Sequence, residues 1–254
     1  MKGVDISHYQ NGLTIQQLKD AGYDFAIIKL TEGIEIVDKA AFGFYREAYE
    51  LGFPVGGYCY SHAVTAKEAA AEAGHLLDTL NGFPMPLGIY LDVEEPKQLS
   101  LPHDALLKVL DAWCAGIAQH GYLPGVYGSE GNLWAKVHPD ELRGMSLIWV
   151  AKWSSTPPNV PCDLWQTSDS GHVEGYSGPV DTDETRGQRL EGLIQAFPGY
   201  QPQPAEKPPD TETSDGKDPV GIVNDLLVAY LQTAEFREGF SEYVKNSIAL
   251  LERS

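Results

Sequence analysis

Short β-rich runs alternate with helical stretches along most of this chain, and that alternation restricts the fold more than any other feature. The strand candidates are Gly3–Ser7, Phe25–Thr31, Val55–Ser61, Gly88–Glu94, Gly125–Gly128, Leu147–Ala151, Asp163–Gln166 and Gly178–Asp181. Between the earlier ones, Ala40–Leu51, Ala66–Leu80 and Ala105–His120 carry apolar residues at spacings of three and four, the mark of a helix with one buried face. Thr65 with Glu68 three residues on reads as a helix start, and Gly52, Gly82 and Gly121 follow helix ends, where a left-handed residue is useful. Strand and helix repeated in this way argue for a parallel sheet. Eight candidates argue for its closure into an irregular, TIM-like β/α barrel. An open doubly wound sheet fits the periodicity too, but the first turn lacks the Gly-rich dinucleotide loop. The fold class expected is therefore α/β.

The 254 residues suffice for one barrel-sized domain, taken here as 1–197. Beyond it, Pro198, Pro202, Pro204, Pro208, Pro209 and Pro219 punctuate a polar stretch that reads as a linker, 198–219. An apolar pattern returns in a helical tail, 220–254. There Val223, Leu227, Tyr230, Leu231 and Ala234 suit one helix face, and Phe236, Phe240, Tyr243, Val244, Ile248 and Leu251 a second. A segment this short seldom folds alone. Self-association into a homo-oligomer is the expected use of the tail, with wall binding as the second reading.

The formal net charge of −18 repels phosphate backbones and anionic lipid surfaces, so neither nucleic acid nor membrane is an expected partner. No run approaches the ~18 apolar residues of a membrane span. The opening residues, Met1-Lys2-Gly3-Val4-Asp5, lack the apolar core of a secretory leader, so synthesis and residence in the cytoplasm until release are expected. Cys59, Cys114 and Cys162 are odd in number and widely spaced, which suits reduced packing residues. The seven histidines form no HxxxH or HExxH pair; no catalytic metal and no cofactor are expected.

The most informative run is Leu87-Gly88-Ile89-Tyr90-Leu91-Asp92-Val93-Glu94-Glu95-Pro96. Its apolar first half suits a buried parallel strand. Asp92 and Glu94 are two apart, so on a strand they leave one face, with Cα atoms roughly 6–7 Å apart. Two acids at the C-terminal end of a barrel strand stand where such barrels keep their chemistry. Gly3-Val4-Asp5-Ile6-Ser7 and Gly178-Pro179-Val180-Asp181-Thr182-Asp183 each bring a further acid to a strand end. Carboxylates gathered at one mouth raise each other's pKa, which keeps one protonated to act as an acid. Lys29, inside the second strand, needs a carboxylate partner, either Asp5 or Glu32.

In order along the chain, Gly3-Val4-Asp5-Ile6-Ser7, Ile27-Ile28-Lys29-Leu30-Thr31-Glu32-Gly33, Gly57-Tyr58-Cys59-Tyr60-Ser61-His62, Asp92-Val93-Glu94, Trp149 to Trp153, Leu164-Trp165-Gln166 and Val180-Asp181 resemble the glycoside hydrolase family 25 lysozymes. The resemblance covers roughly residues 1–195. It implies an irregular β/α barrel hydrolysing the β-1,4 bond between N-acetylmuramic acid and N-acetylglucosamine of bacterial peptidoglycan, as phage endolysins and bacterial lysozymes do. By that resemblance Glu94 matches the general acid, Asp92 the second carboxylate, and Asp5 and Asp181 two supporting aspartates. Asp183 departs from the pattern, which commonly has Asn there. The linker and tail inherit nothing from the family. Tyr58, Tyr60, Tyr127, Trp153 and Trp165 lie at or near strand ends and are the expected sugar platforms, Tyr58 and Trp153 foremost; Trp113 and Trp134 look like core. Two other readings stay open: a chitinase-like enzyme with the same DxE pair, and a non-catalytic wall-binding barrel. None of the four expected acids is missing, which argues against the second.

Overall fold

A computed structural model describes residues 1–142 and 146–199 of the chain. The linker and tail read from the sequence lie, but for residues 198–199, outside the described residues.

The elements run β1 (Lys2–Ile6), α1 (Ile15–Asp20), β2 (Phe25–Glu32), β3 (Ile36–Val37), α2 (Ala41–Leu51), β4 (Val55–Tyr60), α3 (Ala66–Leu80), β5 (Ile89–Asp92), α4 (Pro96–Leu99), α5 (His103–Gln119), β6 (Pro124–Ser129), β7 (Leu147–Ala151), β8 (Leu164–Gly171), β9 (Val180–Thr185) and α6 (Gln188–Ala196). The sheet order is β1-β9-β8-β7-β6-β5-β4-β2-β3, and β1 also pairs with β2, so eight strands close into a barrel and β3 is a short flap on β2. Every expected strand is present. The expectation of an all-parallel sheet is corrected at one place: β9 runs antiparallel to both its neighbours, β8 and β1. The connection from β8 to β9, residues 172–179, is too short for the dozen or more residues of a parallel crossover, so the chain doubles back.

Strand alternation sorts the side chains into two apolar populations. Val4, Ile6, Ala26, Ile28, Leu91, Val126 and Val150 face outward into the layer shared with the helices. Phe25, Ile27, Tyr90, Tyr127, Leu147, Trp149 and Leu164 fill the barrel interior. Rings this large need gaps opposite them, and glycines supply these. A Cβ on Gly125 would lie 2.3 Å from the Tyr90 ring, and one on Gly3 would lie 2.2 Å from Phe25. Trp113 and Trp134 are core residues, as read from the sequence.

Local signals act as expected at the helices. The Thr65 hydroxyl accepts from the Glu68 amide to start α3, and Gly52 closes α2 in the left-handed region at φ 61°. At the end of α3 it is Asn81, not Gly82, that caps at φ 47°. A buried polar cluster then fixes the loop after β4. Glu72 of α3 accepts from the Ser61 hydroxyl (2.6 Å) and the His62 amide (2.8 Å), while Gln98 of α4 donates to Ser61 Oγ (2.8 Å) and the Ala63 carbonyl (3.0 Å). This ties α3 and α4 to the same end of the barrel, where β4 and β5 deliver Tyr60 and Asp92. The three cysteines are free thiols. No helix among the described residues is long and apolar enough to cross a membrane.

Candidate active site

The inward-facing residues at the C-terminal ends of the parallel strands define a cavity of about 400 Å³. Asp5, Tyr58, Tyr60, Asp92, Glu94, Tyr127 and Asp181 all line it, together with Trp149 and Gln166. The barrel register explains the gathering. Asp5 pairs across β1–β9 with Asp181, Tyr60 pairs with Asp92 across β4–β5, and Asp92 with Tyr127 across β5–β6. Four carboxyl groups from three separated segments therefore converge on one mouth.

Their environments differ. Asp92 is the last residue of β5 and only 5% exposed, and its Oδ1 has no hydrogen-bond partner among the described residues. Burial, then the charges of Glu94 and Asp5, hold its pKa well above the usual carboxylate range. Glu94 lies two residues past the end of β5, so the strand stops earlier than the sequence indicated; its side chain is exposed at the rim. Desolvation by the walls of the cleft and then the charge of Asp181 raise its pKa. Asp5 is pushed well up by burial and by Asp181, although Gln166 donates to its Oδ2 at 2.8 Å. Asp181 is raised to about 6, mainly by burial and by Asp169.

The second strand completes the wall. Lys29 is buried and donates to Glu32 Oε2 at 2.7 Å, with its ammonium 5.0 Å from the centre of the Tyr60 ring. Of the two partners considered for it, Glu32 is the one observed. The Tyr60 hydroxyl donates to Glu95 Oε1 at 3.1 Å.

Glu94 also borders a second cavity of about 350 Å³, lined by Val93, Leu99, Ser129, Asn132, Ala151 and Trp153. Trp153 is 60% exposed, and its indole N–H is anchored to Gln166 Oε1 at 2.9 Å, so a large open ring is held in one orientation. Trp165 stands elsewhere. It alternates with the inward-facing Leu164 and Gln166, so it points off the outside of the barrel and lines neither cavity. It is 6% exposed, donates to the Lys152 carbonyl at 2.8 Å and has the Arg186 guanidinium over its ring. The stacking platform read from its sequence position is therefore not at this mouth.

Gln166 and Trp149 are among the cavity residues not singled out as site residues from the sequence. Gln166 accepts from the Tyr127 hydroxyl (2.9 Å) and from Trp153 while donating to Asp5, so it connects three strands. Trp149 forms the floor, in contact with the rings of Tyr58, Tyr90 and Tyr127. The signal for both was strand parity: Trp149 shares a face with Leu147 and Ala151, and Gln166 with Leu164.

The sequence profile of glycosyl hydrolases family 25 matches residues 4–176. The chain belongs to glycosyl hydrolases family 25. The matched segment takes in Asp5, Asp92 and Glu94 and stops before Asp181. Among family relatives, the chain is 28% identical over 205 residues to the autolytic lysozyme of Clostridium acetobutylicum, covering 78% of this chain and 60% of that one. It is 27% identical over 212 residues to lysozyme M1 of Streptomyces globisporus, covering 77% and 71%. Among solved structures, the catalytic domain of endolysin ply40 from bacteriophage P40 of Listeria monocytogenes superposes with a TM-score of 0.64 at 25% identity, over 76% of this chain and 97% of that one. The chain thus spans less than two thirds of the length of the clostridial lysozyme.

Proposed function

We propose that this family 25 chain is an N-acetylmuramidase that cuts the β-1,4 bond between N-acetylmuramic acid and N-acetylglucosamine in bacterial peptidoglycan. The observation that carries the reading is the position of Glu94, exposed between two adjoining cavities and beside the buried Asp92. A glycan strand laid across both cavities presents one glycosidic oxygen to Glu94, with sugars on either side. The names of the relatives, lysozymes and an endolysin, agree with that substrate.

In this scheme Glu94 is the general acid. Its raised pKa leaves a proton available for the leaving oxygen as the glycosidic bond breaks. The acetamido oxygen of the sugar on the other side attacks the anomeric carbon, and Asp92 orients that group and balances the positive charge that develops. Glu94, now a carboxylate, then takes a proton from the water that opens the intermediate, so configuration is retained. Two acids separated by one residue leave little room for an intervening water, which favours this route over inversion. Asp5 and Asp181 support the pair through their charge. Tyr58, Tyr60 and Tyr127 form the wall of the first cavity, and the Trp153 ring is the sugar platform of the second.

The test is digestion of purified peptidoglycan and of chitin oligomers by the full chain, with mass spectrometry of the products. N-acetylmuramic acid at the new reducing ends supports the reading; cleavage of chitin alone contradicts it.

We also propose that residues 198–219 are a linker and 220–254 an association segment, a reading supported by the proline pattern and the two apolar faces. The wall is the proposed site of action.

A further inference from the structure

The buried acid behind the site is Asp183. It is 1% exposed and does not line the cavity. It lies on β9 between Gly3 of β1 and Gln166 of β8, with its side chain on the same barrel face as Asp181 and Asp5. Its Oδ1 accepts the Trp149 indole N–H at 2.9 Å. Its Oδ2 is buried and receives no N–H or hydroxyl donor among the described residues. The β1–β9 register sets the Asp5 carboxyl diagonally beside it on the same face, and each of the two acids shifts the other's pKa. Two facing carboxyl groups bond only if one carries a proton, since an ionised carboxylate has acceptors alone. Asp5 is the one that opens to the cavity and accepts from Gln166, while Asp183 is the deeper of the two and has the unserved oxygen.

We propose that Asp183 keeps its proton in the folded enzyme and donates it in a hydrogen bond to Asp5, so that it is a positioning residue that orients the Asp5 carboxylate toward the cavity. The groups facing it agree. Asp5 on β1 and Asp181 on its own strand bear on it as negative charges, and Trp149 on β7 donates to it. The Tyr90 and Tyr127 hydroxyl groups, on β5 and β6, lie near enough to be affected by its ionisation. Lys29 on β2 pairs with Glu32, and Arg189 on α6 pairs with Asp163. Burial and then Asp5 hold the Asp183 pKa well above the usual range, in the direction this arrangement requires. A neutral Asp183 also removes one charge from an interior already holding several acids.

The activity part of the test rests on the muramidase reading; the spectroscopic part does not. Infrared difference spectra of the full chain at neutral pH, wild type against Asp183→Asn, are expected to show a protonated carboxylic acid band that only the wild type has. The Asn amide still donates to Asp5 and still accepts from Trp149. Asp183→Asn is therefore expected to keep kcat on peptidoglycan within about threefold of wild type, which is under 1 kcal/mol. Removing a neutral group is electrostatically silent, so the alkaline limb of its kcat/KM profile is expected to stay in place. Asp183→Ala, which cannot donate, is expected to lose kcat about tenfold or more with KM little changed. Absence of the band difference overturns the proposal. So does an alkaline limb displaced to lower pH in Asp183→Asn, because deleting an ionised neighbour would do that. Equal kcat in Asp183→Ala and wild type overturns the positioning role. If Asp183→Ala does not fold, the band and the Asp183→Asn profile still decide. A wild type without activity would count against the muramidase reading and leave the band to decide on the proton.

Discussion

Asp92 ends β5 and Glu94 follows two residues later, yet Asp92 is sealed at the strand end and Glu94 stands open at the rim. One residue of separation thus places one carboxyl group in a low-dielectric pocket and the other where a leaving group and water can reach it. Both pKa values move up, Asp92 chiefly by burial and Glu94 by enclosure and Asp181.

That pairing predicts the stereochemistry and the cost of losing Asp92. Asp92→Asn keeps the shape but supplies no charge to the acetamido group as it turns positive. A loss of about 10²–10³ in kcat is expected, in the range of a lost electrostatic stabiliser. Proton NMR of wild-type products soon after mixing is expected to show the β-anomer first. First appearance of the α-anomer would mean that Asp92 activates a water instead.

The buried acids also set a pH dependence of stability. Asp5, Asp92, Asp181 and Asp183 all have folded pKa values raised above the ordinary carboxylate value. A group of this kind favours folding while protonated, and that contribution is lost as pH rises through its folded pKa. The share of Asp181 is gone once the pH has risen past about 6. Tm is therefore expected to fall as pH rises from about 4 to 6. Scanning calorimetry would show it, and a Tm that climbs through this window would contradict the assignment of raised values.

The two tryptophans at the ends of β7 and β8 separate binding from packing. Trp153→Ala removes an exposed, anchored ring, so KM is expected to rise about five- to thirtyfold, equivalent to about 1–2 kcal/mol, with Tm nearly unchanged. Trp165→Ala leaves a hole on the buried outer face and is expected to cost about 3 kcal/mol of stability with KM unchanged. Kinetics and denaturant melts of both variants check this; the reverse pattern would place the platform at Trp165.

The association reading of residues 220–254 predicts a difference in mass between the full chain and a 1–199 truncation. Light scattering after size exclusion is expected to give an oligomer for the first and a monomer for the second. Equal monomer masses would remove the association role.

Much of this was legible in the residues, for reasons that can be named. All eight barrel strands carry β-branched or aromatic runs bounded by turns, and the i, i+2 acids announce themselves at and just beyond the end of the Ile89–Asp92 strand. Reversal of β9 was not legible from periodicity, because an antiparallel strand alternates just as a parallel one does; only the shortness of residues 172–179 distinguishes them. Trp165 was misplaced because nearness to a strand end was weighed above parity, and parity sends it outward. Asp183 stood out in the sequence only as a departure from the family pattern; its burial follows from the extension of β9 to Thr185, which carries position 183 into the interior. The flap Ile36–Val37 has two residues and no alternation to detect.

In the proposed reaction Glu94 delivers the proton that breaks a peptidoglycan glycosidic bond. The most direct measurement is turbidity loss of purified cell walls with wild type and Glu94→Gln side by side, followed by mass spectrometry of the released fragments. Glu94→Gln keeps the size of the side chain but has no proton to give, so clearing is expected to slow by about 10²–10⁴-fold. Wild type is expected to release fragments ending in N-acetylmuramic acid. Release by Glu94→Gln at the wild-type rate would contradict the account, because the proton would then have to come from another residue.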